Sequence, residues 1–97
     1  MNVMESASVE RLFRVIQSLE SEEEYRRFFE DICTIREIQD MAQRLEVATL
    51  LREGKNYQEI SAQTAVSSAT ISRVNRCLLY GNGGYRTALE KWEEATK

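Results

Sequence analysis

Apolar residues recur at helical spacing along almost the whole chain. Val9, Leu12, Phe13, Ile16 and Leu19 stand three and four apart, which predicts one apolar helical stripe over residues 3–19. Ser21-x-x-Glu24 is a capping box that opens a second helix through about Cys33, with Tyr25, Phe28, Phe29 and Ile32 on its apolar face. Thr34-x-x-Glu37 opens a third and longer one. Its stripe runs Ile35, Ile38, Met41, Ala42, Leu45, Ala48 and on through Leu51, and Gly54 stands just past an end near Glu53.

Shorter elements follow. Asn56 caps a brief helix with Glu59 three residues on, and Ser67 caps another that reaches Leu79 or Tyr80. The run Gly81-Asn82-Gly83-Gly84 is a turn, and a last helix spans about Tyr85 to Ala95 with Ala88, Leu89 and Trp92 on one side. The expectation is an all-α chain of about six helices without a strand.

The segment Asn56 to Arg76, NYQEISAQTAVSSATISRVNR, has the layout of a helix-turn-helix. Two steeply crossed short helices need apolar residues where they touch, and Ile60, Val66, Ile71 and Val74 supply them. Ser61 is the small residue at the pinch. Ala65 stands at the turn, where glycine is the usual way to reach positive φ.

In such a unit the second helix enters the major groove. Its first turn offers Ser67, Ser68, Ala69 and Thr70, followed by Ser72 and Arg73. Small and hydroxyl side chains let a helix sit deep and bond to phosphates, base edges or bridging waters. Arg73 has the reach for guanine or a phosphate, and Arg76 lies along the same face towards the backbone. Asn75 falls on another face. On the preceding helix Asn56 is a cap, while Tyr57 and Gln58 are placed to bond phosphates. Lys55 and Arg52 add positive charge at that edge.

Length and composition bear on assembly. With 97 residues, 42% of them apolar, the chain has the size of one small domain with a thin core, a class that often gains stability by dimerising. There is no proline, and three of the four glycines lie between 81 and 84. The apolar positions before the helix-turn-helix exceed what two short reading helices need. They are expected to pack against a second copy, which would present two recognition helices roughly 34 Å apart. A monomeric bundle is the alternative. The domain division that follows is a single domain, with residues 1–54 as dimerisation core, 56–80 as helix-turn-helix and 85–95 as C-terminal helix.

Charge is divided unevenly. The net value of −3 hides ten acids against five bases in residues 1–40, and five bases against two acids in residues 52–86. Screening confines electrostatics to roughly 8–10 Å, so the local excess of base around the helix-turn-helix counts for more than the total. There is no histidine, no glycine-rich phosphate loop and no base beside either cysteine, which argues against an enzyme and against a metal site. Cys33 and Cys77 are expected as buried, reduced thiols. No signal-like segment opens the chain and no apolar run approaches a bilayer span, so the expected compartment is the cytoplasm and no membrane partner is expected.

Three stretches carry a family resemblance: QRLEVATLLREG at 43–54, NYQEI at 56–60, and SATISRVNRCL at 68–78. From about Phe28 to Glu94 the chain resembles the Trp repressor family, and as a whole its YerC/YecD branch. The ATIxR core of the family's recognition helix is Ala69 to Arg73 here, and the glycine-rich turn and Trp92-bearing helix follow in the family's order. The resemblance implies an intertwined all-α homodimer that binds duplex DNA as a transcriptional regulator, a repressor in the family's manner.

In the Trp repressor, tryptophan lies between two arginines, and Arg44 and Arg73 stand at the matching positions. The residue after the second arginine is glycine there and Val74 here. Val74 is also a core position of the helix-turn-helix, so valine is expected to fill the space. The stretch from Gly54 to Ile60 is one residue shorter than in the repressor. The candidate effector pocket of Arg44, Arg73 and Val74 is therefore expected to take no tryptophan, and no cofactor is expected. A different small effector, or none, stays open, with Arg44 as a structural residue paired with an acid the alternative. The competing reading is a protein–protein module that uses the helix-turn-helix as scaffold and the acidic first helices as a docking face. It would not need Arg52, Lys55, Arg73 and Arg76 around one element.

Overall fold

A computed structural model describes residues 2–97. A single 3-10 turn at Val3–Glu5 precedes six α-helices: α1 (Ala7–Ser18), α2 (Glu22–Ile32), α3 (Ile35–Arg52), α4 (Tyr57–Thr64), α5 (Ser68–Tyr80) and α6 (Gly84–Ala95). No strand occurs among the described residues. The first stripe is interrupted: Ser6 accepts from the Val9 amide and caps α1 there, so the chain enters α1 four residues later than the apolar spacing suggests.

The caps set the other boundaries. Ser21 accepts from the Glu24 amide at 3.1 Å while the Glu24 carboxylate reaches back to the Glu20 amide. Thr34 and Glu37 exchange bonds in a full capping box, with Thr34 N–H to Glu37 Oε1 at 2.8 Å and Glu37 N–H to Thr34 Oγ1 at 3.1 Å. At the far end of α3 the Gly54 amide bonds Leu51 O and the Lys55 amide bonds Leu50 O. That is a Schellman closure, and it puts Gly54 at φ +87, where a Cβ would be strained.

The chain falls into two compact units, residues 1–38 and 39–97. Among the described residues of the first unit none is buried, although its helices are strongly amphipathic. Its internal ties are local: the caps, Tyr25 Oη donating to Leu19 O at 3.3 Å, and i,i+4 pairs such as Glu22–Arg26 on exposed faces. Exposed pairs of that kind are worth only a few tenths of a kcal/mol each.

The second unit holds the core. Val47, Ala48 and Leu50 of α3, Ile60 of α4, Val66, Ile71 and Val74 at the turn and in α5, and Leu89 of α6 form one buried cluster, with Leu51, Leu78 and Tyr85 packed at its margin. Gly81 ends α5 so tightly that a Cβ would stand 2.4 Å from the Cys77 carbonyl oxygen. Arg52 joins α3 to α6, its Nε and Nη2 lying 3.2–3.3 Å from the Glu93 carboxylate.

Two expectations need correction. Neither cysteine is buried: Cys33 caps the end of α2 and is half-buried, and Cys77 is exposed on α5. Cys77 stands one position before Leu78, through which the inner side of α5 runs, while Cys33 belongs to a unit that buries none of its described residues. Trp92 does not share the buried side of α6 with Leu89 either, and it is 63% exposed.

The Thr34 hydrogen bonds, from its backbone amide first and its hydroxyl second, hold the Glu37 carboxyl below its ordinary value of 4.5. A carboxylate with a depressed folded pKa contributes stability that is present above the unfolded value and lost as pH falls through the folded one. Glu37→Gln should therefore lower the thermal midpoint at neutral pH and converge with the wild type under acid. A constant difference from neutral to acid pH, read by circular dichroism melts, would remove this cap from the pH dependence.

Candidate nucleic-acid interface

The reading pair is built by its caps and its turn. Asn56 and Glu59 form a complete capping box at the start of α4, with Glu59 N–H to Asn56 Oδ1 at 2.9 Å and Asn56 N–H to Glu59 Oε1 at 3.1 Å. The Thr64 hydroxyl donates to Ile60 O at 2.7 Å and accepts from the Val66 amide at 3.2 Å. The Thr64 hydroxyl thus closes the turn. Ala65 takes the left-handed conformation, φ 58 and ψ 19, and is the one non-glycine residue at positive φ among those described. The turn reaches its geometry with a Cβ in place, and that Cβ is strained.

Ser67 caps α5. Its Oγ accepts from the Thr70 amide at 3.3 Å and donates to Thr70 Oγ1 at 3.1 Å. The Ser67 hydroxyl proton is thus used inside the helix, which gives Ser67 a positioning part in α5. Thr70 is half-buried but keeps its own proton to donate.

Ile71 and Val74 bury one side of α5, so the opposite side is fixed by helical geometry. Ser68, Ala69, Ser72, Arg73 and Arg76 are all exposed. The same stripe continues at i+4 from Arg76 to Tyr80, which is 83% exposed. Tyr80 is a residue of this face that the sequence reading treats only as a helix end. Its spacing from Ala69, Arg73 and Arg76 is the signal that marks it. Asn75 lies off this face and is half-buried.

Lys55, Tyr57 and Gln58 are exposed at the start of α4. Arg52, which the sequence places at that edge, shares its charge with Glu93. Arg44 is half-buried on α3, one turn before Val47 and Ala48, and makes no ion pair among the described residues. Arg73 is exposed and Val74 is 1% exposed, so Val74 belongs to the core cluster. Among the described residues no group of histidine, cysteine and acidic side chains could hold a metal ion, and no helix is long and apolar enough to cross a membrane.

The profile of the family described as Trp repressor protein matches residues 7–93. The chain belongs to the Trp repressor family. That family is one of DNA-binding regulators. Over 86 residues the chain is 56% identical to YerC of Bacillus subtilis (strain 168), an uncharacterized protein, covering 89% of this chain and 83% of that one. Two solved structures share the fold over 96% of both chains. A TrpR-like protein from Eubacterium eligens ATCC 27750 superposes with a TM-score of 0.91 at 48% identity. A candidate Trp repressor from Staphylococcus aureus gives 0.88 at 40% identity.

A Cβ in the left-handed region costs roughly 1–2 kcal/mol, and glycine loses part of that gain through the freedom of its unfolded chain. Ala65→Gly should stabilise the protein by about 0.5–1 kcal/mol in urea unfolding. A destabilised variant would mean that the alanine methyl makes a contact worth more than the strain it causes.

Proposed function

We propose that the protein is a sequence-specific transcriptional regulator that binds duplex DNA as a homodimer and acts as a repressor. One observation carries this reading: α5 turns Ser68, Ala69, Ser72, Arg73 and Arg76 to solvent on one face while Ile71 and Val74 anchor the other. Small side chains at the start of that face allow close approach to a groove, and the two arginines supply charge for guanine or phosphate. Thr70 donates its free hydroxyl proton, and Ser67 holds the helix start. Lys55, Tyr57 and Gln58 contact the phosphate backbone and set register without choosing sequence. The helix-turn-helix as a protein–protein scaffold is the alternative outcome of the test below.

The homodimer is supported by uncovered apolar surface. Phe13 of α1, Ile32 of α2, and Ile35, Met41 and Leu45 of α3 are all exposed in the single chain. A 97-residue protein does not keep that many large apolar side chains in water without a partner surface. A second copy is the partner, because it also sets two α5 helices one DNA turn apart.

Regulation by tryptophan is not part of this reading. Val74 is packed with Ile60, Ile71 and Val47, and its side chain takes the room that an indole would need beside Arg73. Arg73 acts as a cation on the reading helix, and no cofactor is required.

Binding to duplexes selected from a random pool should weaken steeply with salt, and replacing one phosphate-bonding cation should lower the salt slope by about one. Arg73→Ala should cost roughly 1–3 kcal/mol of operator affinity if it bonds a base edge at two points. No salt-dependent binding to any duplex would end the regulator reading and leave the scaffold. In sedimentation the protein should run as a dimer at micromolar concentration, and a clean monomer would undo the assembly.

A further inference from the structure

A hollow on the second unit lies beside the C-terminal end of the reading face. It is bordered by the end of α3, the C-terminal half of α5 and the start of α6, has an open volume of about 230 Å³, and is lined by Leu51, Arg52, Asn75, Leu78, Leu79 and Arg86. Leu51 and Leu78 pack on the core and give it an apolar floor. Its rim is cationic. Arg52 is held in place by Glu93 through Nε and Nη2, which leaves Nη1 uncommitted. The Arg86 guanidinium makes no ion pair or hydrogen bond among the described residues, although Glu90 stands one turn further along α6. The half-buried Asn75 amide has no side-chain hydrogen bond there either.

An uncommitted guanidinium and an uncommitted amide above leucine side chains are complementary to one ligand class. We propose that this hollow binds a small organic carboxylate with an aromatic or branched aliphatic body. The carboxylate sits on Arg86, with Asn75 donating its amide protons, and the body lies on Leu51, Leu78 and Leu79. Arg86 is the anchor because Arg52 already shares its charge with Glu93. An inorganic anion would satisfy the arginine and leave the leucine floor wet. The volume is below the range of about 300 Å³ and upwards found for drug-sized ligands, so the body is small, of benzoate size.

Asn75, Leu78 and Leu79 belong to α5, so an occupant touches the flank of the reading helix near its C-terminal end. A consequence for DNA affinity rests on the function proposed above, whereas binding itself does not.

The test uses the full chain and three probes: benzoate, acetate as the charge without the body, and benzyl alcohol as the body without the charge. Backbone amide resonances of Leu51, Asn75, Leu78 and Arg86 should shift saturably with benzoate, about tenfold more tightly than with either control. Arg86 is exposed, so Arg86→Ala should keep its thermal midpoint while losing about tenfold in benzoate affinity. Non-saturating shifts, an equal response to acetate or benzyl alcohol, or undiminished binding by Arg86→Ala would each overturn the site. Operator affinity measured with and without benzoate reads the coupling separately. If the protein binds no duplex at all, the regulator reading fails while the benzoate titration still decides the hollow.

Discussion

Val47, Ile60, Ile71 and Val74 are the largest side chains to lose nearly all contact with water, and they come from three different helices. Their mutual burial is what fixes α4 and α5 on the second half of α3. Neither α4, at eight residues, nor α5, at thirteen, would hold its shape alone in water. Burying a valine or isoleucine is worth about 1.5–3 kcal/mol, so these four contribute more than the caps around them. The caps decide where each helix begins, and the core decides that the helices persist. The orientation of every exposed side chain on α5 follows from the two that are buried.

So small a core leaves other apolar surface uncovered. The whole buried cluster lies between residues 47 and 89, and the first unit contributes nothing to it. Amphipathic helices with no buried residue are stable only when something covers them, since short helices depend on packing. In the proposed assembly the second copy therefore serves mainly to cover the first unit, and the proposed DNA contacts come from the second unit. Charge divides in a similar way. Acids predominate in residues 1–40, and the local excess of base lies around α4 and α5.

Helix positions are legible in the sequence because they are set locally. Ser21, Thr34, Asn56 and Ser67 each hold the cap that their spacing to the next amide implies. Gly54 and Ala65 take the left-handed conformations that their places past a helix end require. The membership of the core is also legible for Ile60, Val66, Ile71 and Val74, whose spacing belongs to the helix-turn-helix. Tertiary choices are not. Arg52 reads as a cation near the reading helix, and only the fold brings Glu93, forty-one residues on, to it. Cys77 and Trp92 read as apolar, but the inner sides of their helices run through Val74, Leu78 and Leu89 instead. Periodicity says that a helix has an inner side, and it gives the width of that side only loosely. Residues at the margin of that side, as Cys77 and Trp92 are, depend on what the neighbouring helices leave uncovered.

Position 74 joins these themes. In a helix-turn-helix it is a contact residue, and next to Arg73 it stands where the Trp repressor keeps a glycine. On the function proposed above, valine here serves the core rather than an indole site. Valine completes the core: it is 1% exposed and belongs to the cluster that holds α5. A reading helix held by a buried valine has less freedom to be moved by a ligand wedged behind Arg73. On that reading, control of such a helix would come through surfaces that the core does not already fill. On α5 those surfaces are the margins, where Asn75, Leu78 and Leu79 face the end of α3 and the start of α6. The volume of one side chain thus narrows where any switch on this helix can act.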